Sequence, residues 1–308
     1  MKQDIVESIG NTPIVEVLKN KGFKSRVFVK LESFNPGGSI KDRVALRMIE
    51  QSEYNGIITK GMELVEATSG NTGVGVAWIG KHKGYKVTIV THDKISKEKL
   101  ALLRHLDANV ILTSSSAPSG SKSHYIEMAK DYSSHKGRHY LNQFCSRYNS
   151  EAHYFTTGPE INQQMQGNID VIICGIGSGG TIMGLSKYFK EHTPHVQIVA
   201  IDPNGSIYFP HKYEQKHTPS PWKIEGVGSD FIPEIYNKEL VDEIYPVSDR
   251  EAINTCHELY ESDGIDIGLS SGAIMTAAKK IAATGIYRNI VCISPDAGER
   301  YMSKLSVA

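Results

Sequence analysis

The stretch Val171–Thr181, VIICGIGSGGT, joins an apolar run to a glycine-rich turn. Four consecutive apolar residues predict a strand that is buried on both faces, as in a parallel sheet. A helix pattern follows, with Met183, Leu185 and Phe189 apolar. Glycines let the backbone approach a ligand closely, and a helix N-terminus favours negative charge, so the turn predicts an anion site. A strand, a turn and a helix in this order indicate an α/β fold.

The same turn satisfies the dinucleotide-binding pattern Gly-x-Gly-x-x-Gly. Asp202 closes the next predicted strand, about 20 residues further on, where a dinucleotide fold uses an acidic residue to bind a ribose. A nicotinamide-dependent dehydrogenase is therefore a competing interpretation. The turn lacks a Gly-Lys-Ser/Thr ending, which excludes a nucleotide-triphosphate loop.

A second segment, NPGGSIKDR at 35–43, delivers Lys41 to the start of a predicted helix. Val44 and Met48 give that helix its apolar spacing, and Gly56 lies just beyond its end. The positive end of a helix dipole disfavours the ammonium form of a lysine. A deprotonated lysine is a nucleophile toward aldehydes and a base toward carbon acids. A solvated surface lysine is the alternative interpretation while the segment is taken alone.

Two further glycine segments also open predicted helices. TSGNTG at 68–73 follows the strand-like run Glu63–Ala67, and its hydroxyls and N–H groups suit a carboxylate or a phosphate. GLSSG at 268–272 opens a helix that runs toward Ile281. A simple cap and turn is the alternative for each segment, and for 268–272 alone the serine N-cap is the favoured one.

Composition limits the class of protein. The 308 residues suffice for two domains or one large α/β unit. Basic and acidic residues number 34 each, so no net charge draws the chain to nucleic acid or to an anionic membrane. The first residues lack the apolar core of a signal peptide, and no apolar run is long enough to span a bilayer. The four cysteines are far apart and the twelve histidines show no ligand spacing, so no metal site is predicted.

Strand and helix patterns alternate along the chain. The ranges predicted as strands are Arg26–Glu32, Glu63–Ala67, Lys86–Thr91, Asn109–Thr113, Arg138–Phe144, Asp170–Gly175, Val196–Asp202 and Asn289–Ile293. Residues 208–225 hold three prolines and many charges, and residues 114–122 are rich in serine, so both are predicted as surface connections.

In their order and spacing, these segments resemble the pyridoxal-phosphate β-replacement family of cysteine synthases and cystathionine β-synthases. The resemblance covers nearly the whole chain. The segments that carry it are IGNTP at 9–13, the Lys41 and Asn71 segments, QF at 143–144, the run 156–160, the glycine turn at 175–181, EGVG at 225–228, the 268–272 segment and GERY at 298–301. Each is short, but their shared order makes a chance match negligible.

The resemblance implies a role for each matching residue. Lys41 would hold pyridoxal phosphate as a Schiff base and act as the catalytic base. The other cofactor groups would be Asn71 at the ring hydroxyl, Ser270 at the pyridine nitrogen, and Gly175, Gly177, Ser178, Gly179, Gly180 and Thr181 around the phosphate. The substrate would lie against Thr68, Ser69, Thr72, Gln143, Gly226, Ser229 and Asp230. Loss of the β substituent would give a bound aminoacrylate, to which a thiol adds.

The resemblance also implies an architecture. It predicts two twisted open α/β domains with the cofactor in the cleft between them, the tryptophan synthase β-like arrangement of fold type II. The smaller, mobile domain would span residues 40–143, and the larger would combine 1–39 with 144–308. We expect a cytoplasmic homodimer that acts on small amino-acid and thiol substrates, built as a catalytic core without haem or regulatory domains.

Single positions separate the two branches of the family. SKEK at 96–99, DPNGS at 202–206 and DFIP at 230–233 resemble cystathionine β-synthases, whereas GERY at 298–301 resembles cysteine synthases. Ser229 replaces a tyrosine that many cystathionine β-synthases have at this place, and hydroxide is a poor leaving group that needs acid help. We therefore expect O-acetylserine rather than serine as the preferred donor, with homocysteine or sulfide as the acceptor. A cysteine synthase that uses only sulfide, and a catalytically silent binding protein of the same fold, remain as alternatives.

Overall fold

The computed structural model describes residues 2–305, which form two β-sheets with helices around them. The strands, numbered along the chain, are β1 Ile14–Val17, β2 Arg26–Leu31, β3 Glu63–Ala67, β4 Lys86–His92, β5 Asn109–Thr113, β6 Arg138–Tyr140, β7 Val171–Gly175, β8 Gln197–Pro203, β9 Glu243–Val247 and β10 Asn289–Ser294. The larger sheet has the order β1-β2-β10-β7-β8-β9, and the smaller has the order β5-β4-β3-β6. All neighbouring strands are parallel except β1 and β2.

The helices are distributed between both sheets. They are α1 Lys41–Tyr54, α2 Asn71–His82, α3 Lys97–His105, α4 Tyr125–Ser133, α5 Arg147–Ala152, α6 Gly158–Gln164, α7 Gly180–His192, α8 Tyr208–Lys212, α9 Asp249–Asp263, α10 Leu269–Thr284 and α11 Met302–Leu305. A π-helical turn, His153–Thr157, joins α5 to α6. Within residues 2–305, no helix combines the length and the apolar character needed to cross a membrane.

The larger sheet is buried on both faces, which explains its continuous apolar strands. On β7, Val171 and Ile173 pack with α9 and α10, whereas Ile172 and Cys174 pack with α7 on the opposite face. Successive side chains of a strand point to opposite faces, so a strand with helices on both sides needs apolar residues at every position. The burial predicted for this run is thus confirmed.

Eight of the ten strands lie where the sequence predicts them, and two short edge strands were not predicted. Pro246 lies inside β9, and a proline within a run argues against a strand except at a sheet edge, which is where β9 lies. The four residues of β1 are short even for a strand. The prediction of an uninterrupted surface loop over 208–225 is wrong at its start, because α8 begins there and Tyr208 is fully buried.

The topology brings several predicted site segments to the same edges of the sheets. The turn at 175–180 follows β7, and residues 295–301 follow β10, its neighbour in the larger sheet. The segment 68–70 follows β3 in the smaller sheet and leads directly into α2. Ligands of parallel α/β sheets bind beyond the carboxyl ends of the strands, so this edge is where a site is expected.

Candidate active site

A cavity lies at the carboxyl ends of β7 and β10, and both the predicted lysine and the predicted glycine turn line it. Its other walls come from the start of α1, from residues 226–227 and from the end of β10. The lining residues are Ile40, Lys41, Cys174, Gly175, Gly177, Ser178, Gly179, Gly180, Thr181, Gly226, Val227, Ile293 and Pro295. Segments that are far apart in the sequence therefore converge on one cavity.

Lys41 is the first residue of α1, and the backbone on both sides of it is fixed by packing. Ile40 N donates to Pro295 O at 2.9 Å, and Gly75 of α2 packs so closely that a Cβ there would stand 2.9 Å from Lys41 O. Burial lowers the pKa of the Lys41 amine to about 8, although the nearby Glu66 carboxylate opposes this shift. About a tenth of the amine is therefore neutral at pH 7 and about half at pH 8, which supplies the form that a nucleophile or a base requires.

Glu66 is a fully buried carboxyl group near Lys41 that the sequence prediction did not include. It lies on β3, and burial raises its pKa to about 8 against the opposing effect of backbone N–H donors at Gln143 and Ala67. Its Oε2 atom has no hydrogen-bond partner within the described part of the chain. Unpaired carboxylates are costly to bury, so this group is protonated over much of the neutral range.

The glycine turn after β7 presents backbone N–H donors and leaves no room for side chains. Among residues 2–305, no acceptor pairs with the backbone N–H groups of residues 177–181. A Cβ on Gly177 would come closer than 3.0 Å to Gly226 O, and Gly179 has φ +89°, a conformation that favours glycine. Free N–H groups at the start of a 13-residue helix form an anion site.

Two side chains outside the predicted set support this turn. Asn149 Nδ2 donates to Ser178 Oγ at 2.9 Å and to Gln143 O at 2.8 Å, so it joins the glycine turn to the predicted substrate residues. His153 is fully buried, and its Nε2 lies 3.3 Å from Thr181 Oγ1. Burial lowers the pKa of His153 well below its usual value, so a neutral imidazole orients the threonine hydroxyl.

Three of the four predicted carboxylate-binding residues are buried together beyond β3. Thr72 Oγ1 donates to Gln143 Oε1 at 2.7 Å, and Gln143 Nε2 donates to Ala67 O at 3.3 Å. Thr68 Oγ1 accepts from Gly70 N at 3.0 Å, which shapes the turn. Ser69 stands in the same turn and is half-buried. Hydroxyl and amide donors at a helix start suit a carboxylate ligand.

Asn71 is held by two charged residues that the sequence prediction missed as site residues. Asn71 Nδ2 donates to Asp296 Oδ2 at 2.5 Å, and Arg300 Nη1 donates to Asn71 Oδ1 at 2.9 Å. Asp296 is 1% exposed and Arg300 is 8% exposed. The available signal was topological, because Asp296 follows β10 at the edge where ligands bind.

Of the remaining predicted residues, Gly226 lines the cavity, whereas Ser270, Ser229 and Asp230 are not among its lining residues. Ser270 is buried at the start of α10, and a Cβ on Gly226 would stand 3.8 Å from its Oγ. Ser229 is buried, and its Oγ accepts from Phe231 N at 3.2 Å. Asp230 is exposed, and its charge is near enough to His124 to oppose the lowering of that histidine's pKa by burial.

The acidic residue required by the dinucleotide interpretation is already engaged. Asp202 is 1% exposed, and its Oδ2 accepts from Phe209 N at 2.8 Å at the start of α8. Burial raises its pKa to about 6. A ribose hydroxyl would need an accessible carboxylate, so Asp202 is better explained as a structural residue.

The residues around the cavity fit pyridoxal phosphate. The free N–H groups of residues 177–181 can bind a phosphate. The Lys41 amine, with its lowered pKa, can react with an aldehyde. Asn71 Nδ2 has a second hydrogen that Asp296 does not use, and it can donate to a ring oxygen. Ser270 supplies a neutral hydroxyl beside Gly226.

Comparison with known proteins assigns the family. Residues 5–296 match the family model described as pyridoxal-phosphate dependent enzyme. Cystathionine β-synthase from Saccharomyces cerevisiae is 37% identical over 317 residues, which cover 98% of this chain and 62% of that protein. Cysteine synthase from Staphylococcus aureus (strain Mu50) is 39% identical over 305 residues, which cover 97% of this chain and 95% of that protein. The chain thus spans about three fifths of the length of the cystathionine β-synthase.

A solved structure gives the same result. O-acetylserine dependent cystathionine β-synthase from Helicobacter pylori superposes with a TM-score of 0.90 at 33% identity, covering 99% of this chain and 98% of that one. This likeness confirms the predicted fold class, and the family match confirms the predicted cofactor and overturns the dehydrogenase alternative. The chain belongs to the pyridoxal-phosphate-dependent enzymes.

Proposed function

We propose that this protein catalyses β-replacement on O-acetylserine or serine, with a thiol as the acceptor. Homocysteine would give cystathionine, and sulfide would give cysteine. One observation carries the proposal: Lys41 lines the same cavity as a glycine turn with free N–H groups, and the lining residue Gly226 lies beside the hydroxyl of Ser270. The alternative within the same chemistry is a cysteine synthase that uses only sulfide.

The proposed roles follow from the chemistry of each side chain. Bound pyridoxal phosphate supplies an electron sink for the electron pair left when an amino acid loses its α proton. Lys41 Nζ takes that proton, because its lowered pKa leaves about half of the amine neutral near pH 8. Ser270 offers a hydroxyl that does not hold a ring nitrogen protonated, which favours prompt departure of the β substituent. Lys41 returns the proton to the α carbon after the thiol has bonded to the β carbon.

The amino-acid substrate is oriented by the polar cluster beyond β3. Thr72 and Gln143 are hydrogen-bonded to each other, and either side chain can rotate to donate a hydrogen bond to a carboxylate that enters the turn. Thr68 and Ser69 contribute hydroxyls from the same turn. The turn leads into the N-terminus of α2, whose N–H groups favour the same negative charge.

The donor preference rests on Ser229. An alcohol leaving group needs a proton donor, whereas acetate leaves without one, and the aliphatic hydroxyl of Ser229 is a weaker acid than the phenol of a tyrosine. We therefore propose O-acetylserine as the better donor. The acceptor preference rests on Asp230, an exposed carboxylate that can pair with the ammonium group of homocysteine. The relative from Helicobacter pylori is described as an O-acetylserine dependent cystathionine β-synthase, which favours the same pair.

Domain organisation and assembly are part of the proposal. All strands of the smaller sheet lie within residues 63–140, which supports a smaller, mobile domain over 40–143 and a larger one over 1–39 with 144–308. The homodimer is proposed from the resemblance to the family. A cytoplasmic location remains an inference from the resemblance.

The central test removes the proposed Schiff-base lysine. Lys41→Ala should abolish both the visible absorbance of the reconstituted protein and turnover, because no other group can replace the amine. Lys60→Ala, at an exposed lysine, is the matched control and should retain both. A Lys41 variant that keeps a covalent cofactor and normal turnover would refute the assignment.

A product assay then separates the substrates. Wild-type protein is supplied with serine or O-acetylserine and with sulfide or homocysteine, and the products are quantified. We expect cystathionine and cysteine, both formed faster from O-acetylserine. Efficient cystathionine formation from serine would contradict the donor preference, and activity with sulfide alone would leave the cysteine synthase alternative. No product in any combination, with a bound cofactor, would support the silent binding protein.

A further inference from the structure

The backbone after β10 connects the starts of two helices at the site. Pro295 O accepts from Ile40 N at 2.9 Å at the start of α1, and Asp296 O accepts from Gly268 N at 3.1 Å at the start of α10. These contacts hold the backbone of residues 295 and 296 without using their side chains. The carboxylate of Asp296 is therefore presented on a fixed backbone.

Asp296 and Arg300 form hydrogen bonds with the two ends of the Asn71 side-chain amide. Asp296 Oδ2 accepts from Asn71 Nδ2, and Arg300 Nη1 donates to Asn71 Oδ1. A carboxylate only accepts hydrogen bonds, and a guanidinium only donates them. The two contacts are therefore satisfied in one orientation of the amide, with its NH₂ group toward Asp296. The reversed amide would place oxygen against oxygen and N–H against N–H.

This orientation determines what Asn71 can offer to a ligand. One hydrogen of Nδ2 is bonded to Asp296, and the other stays available to an oxygen acceptor. Oδ1 is occupied by Arg300, whose Nη2 also donates to Gly37 O in the Lys41 segment. Arg300 thus links the asparagine to the segment that carries the lysine.

We propose that Asp296 and Arg300 are positioning residues that fix the Asn71 amide as a donor toward the ring hydroxyl of the cofactor. The inference rests on the proposed function, because that function assigns Asn71 to the ring hydroxyl. It extends the site by two charged residues that meet the cofactor only through Asn71. Their substitution should therefore change how the ring is held without removing a group that contacts it.

Tyr301 provides a matched control. Its hydroxyl donates to Asp296 Oδ2 at 2.5 Å, the same atom that accepts from Asn71, and the ring is fully buried. Tyr301→Phe therefore removes a buried hydrogen bond of Asp296 but leaves the amide of Asn71 with both of its partners. A purely structural role of Asp296 would make the two kinds of variant behave alike.

The test compares apoprotein variants by cofactor titration. Asp296→Leu keeps the size of the side chain but removes its acceptor, Asp296→Asn keeps an acceptor oxygen, and Arg300→Met removes the donor to Oδ1. For each variant, the dissociation constant of pyridoxal phosphate, the visible absorbance of the complex as a function of pH, and the melting temperature of the apoprotein are measured.

The expected pattern follows the orientation of the amide. Asp296→Leu and Arg300→Met should weaken cofactor binding about tenfold and shift the pH dependence of the visible band, since one hydrogen bond to the ring is lost. Asp296→Asn should restore most of the affinity. Tyr301→Phe should lower the melting temperature but change affinity less than about twofold. Should Asp296→Leu fail to fold, Arg300→Met carries the same test from the opposite end of the amide.

The outcomes separate this inference from the proposed function. Asn71→Ala is titrated in parallel, and wild-type affinity and spectrum in that variant would refute the role of Asn71 itself and this inference with it. If Asn71→Ala changes the cofactor affinity and the spectrum but Asp296→Leu and Arg300→Met do not, only the positioning role is overturned. Equal weakening in Tyr301→Phe and Asp296→Leu would also overturn it, because the effect would then come from stability.

Discussion

Two segments at the carboxyl ends of parallel strands lead into helices, and they are built in opposite ways. The glycine turn after β7 has glycine at four of its residues 175–180 and offers backbone N–H groups. The segment after β3, residues 68–72, offers hydroxyls and an amide from its own side chains and from Gln143. Both are suited to anions, but only the second depends on side chains that can rotate.

The two segments also differ in the space around their glycines. A Cβ on Gly177 would come closer than 3.0 Å to Gly226 O, and one on Gly180 would do the same to Asn149. A Cβ on Gly70 would meet nothing closer than Thr68 Oγ1 at 3.6 Å, which is an ordinary contact. The glycine turn is therefore packed against close neighbours, whereas Gly70 in the segment at 68–72 has space beside it.

This difference matches the ligands that we propose for the two segments. A phosphate that stays bound through every turnover is best held by a rigid backbone, which needs no reorganisation. An amino-acid donor must enter, be oriented and be replaced by a product, so its carboxylate is better met by side chains in a turn that can adjust. The predictions below test this contrast, beginning with the largest expected effect.

Gly177→Ala should have the largest effect. The new methyl group cannot fit beside the backbone oxygen of Gly226, so the turn must shift and its N–H groups lose their common direction. We expect pyridoxal phosphate to bind about 100-fold more weakly, as measured by titration of the apoprotein. Retained affinity in a folded variant would show that the turn is not the rigid phosphate site.

Gln143→Ala should affect the donor without affecting the cofactor. The change removes the partner of Thr72 Oγ1 and one amide donor, while the backbone contacts of residue 143 remain. We expect the Michaelis constant for the amino-acid donor to rise about tenfold at unchanged visible absorbance. Loss of the cofactor, with unaltered donor affinity in the fraction that remains, would show that the role is misassigned.

The pH dependence of cofactor capture tests the lysine between the two segments. Because burial lowers the pKa of Lys41 to about 8, the neutral amine is already present near pH 7 and becomes the main form above pH 8. The rate of covalent capture of pyridoxal phosphate by the apoprotein should rise about tenfold between pH 7 and pH 9 and then level off. An ordinary lysine would give a rise of about a hundredfold over the same interval.

Glu66→Gln sharpens that measurement. Glu66 ionises around pH 8, and its carboxylate then raises the pKa of the Lys41 amine, so replacing it with an amide should move the levelling of the capture rate to lower pH. An unchanged profile would mean that burial alone sets the pKa of Lys41.

Gly70→Ala should have the smallest effect. The backbone at Gly70 has φ −111°, which an alanine adopts without strain, and the added methyl group meets no close neighbour. We expect cofactor affinity and the donor Michaelis constant to change less than about twofold. A loss comparable to that of Gly177→Ala would remove the contrast between the two segments.

Local sequence signals predicted the parts of the site that depend on the backbone. The glycine turn at 175–181 and the segment at 68–73 were identified because a strand, small residues and a helix follow each other within a short stretch. The strands with continuous apolar residues were identified for the same reason. The edge strand β9 was not, because Pro246 is a local argument against a strand and only pairing with β8 overrides it.

Contacts between distant parts of the chain could not be predicted in this way. Asn71 and Asp296 are 225 residues apart, and no local pattern indicates that they share a hydrogen bond. Tyr208 lies in a stretch rich in charge and proline, yet its hydroxyl donates to Gly177 O at 2.6 Å and its ring is fully buried. The positions and contacts of such residues are determined by how whole helices and strands pack, and the sequence specifies that packing only through the complete fold.

The order of strands in the two sheets also has a consequence for how the chain reaches its native state. All strands of the smaller sheet are complete once residue 140 has been synthesised. In the larger sheet, Val27 of β2 pairs with Ile290 of β10, so this sheet cannot close until residue 290 has left the ribosome. Pairing across such sequence separation is slow, because loop-closure entropy must be overcome first. Strand β2 therefore waits longest for its parallel partner β10, and we expect its apolar residues to be the ones most exposed to aggregation during biosynthesis.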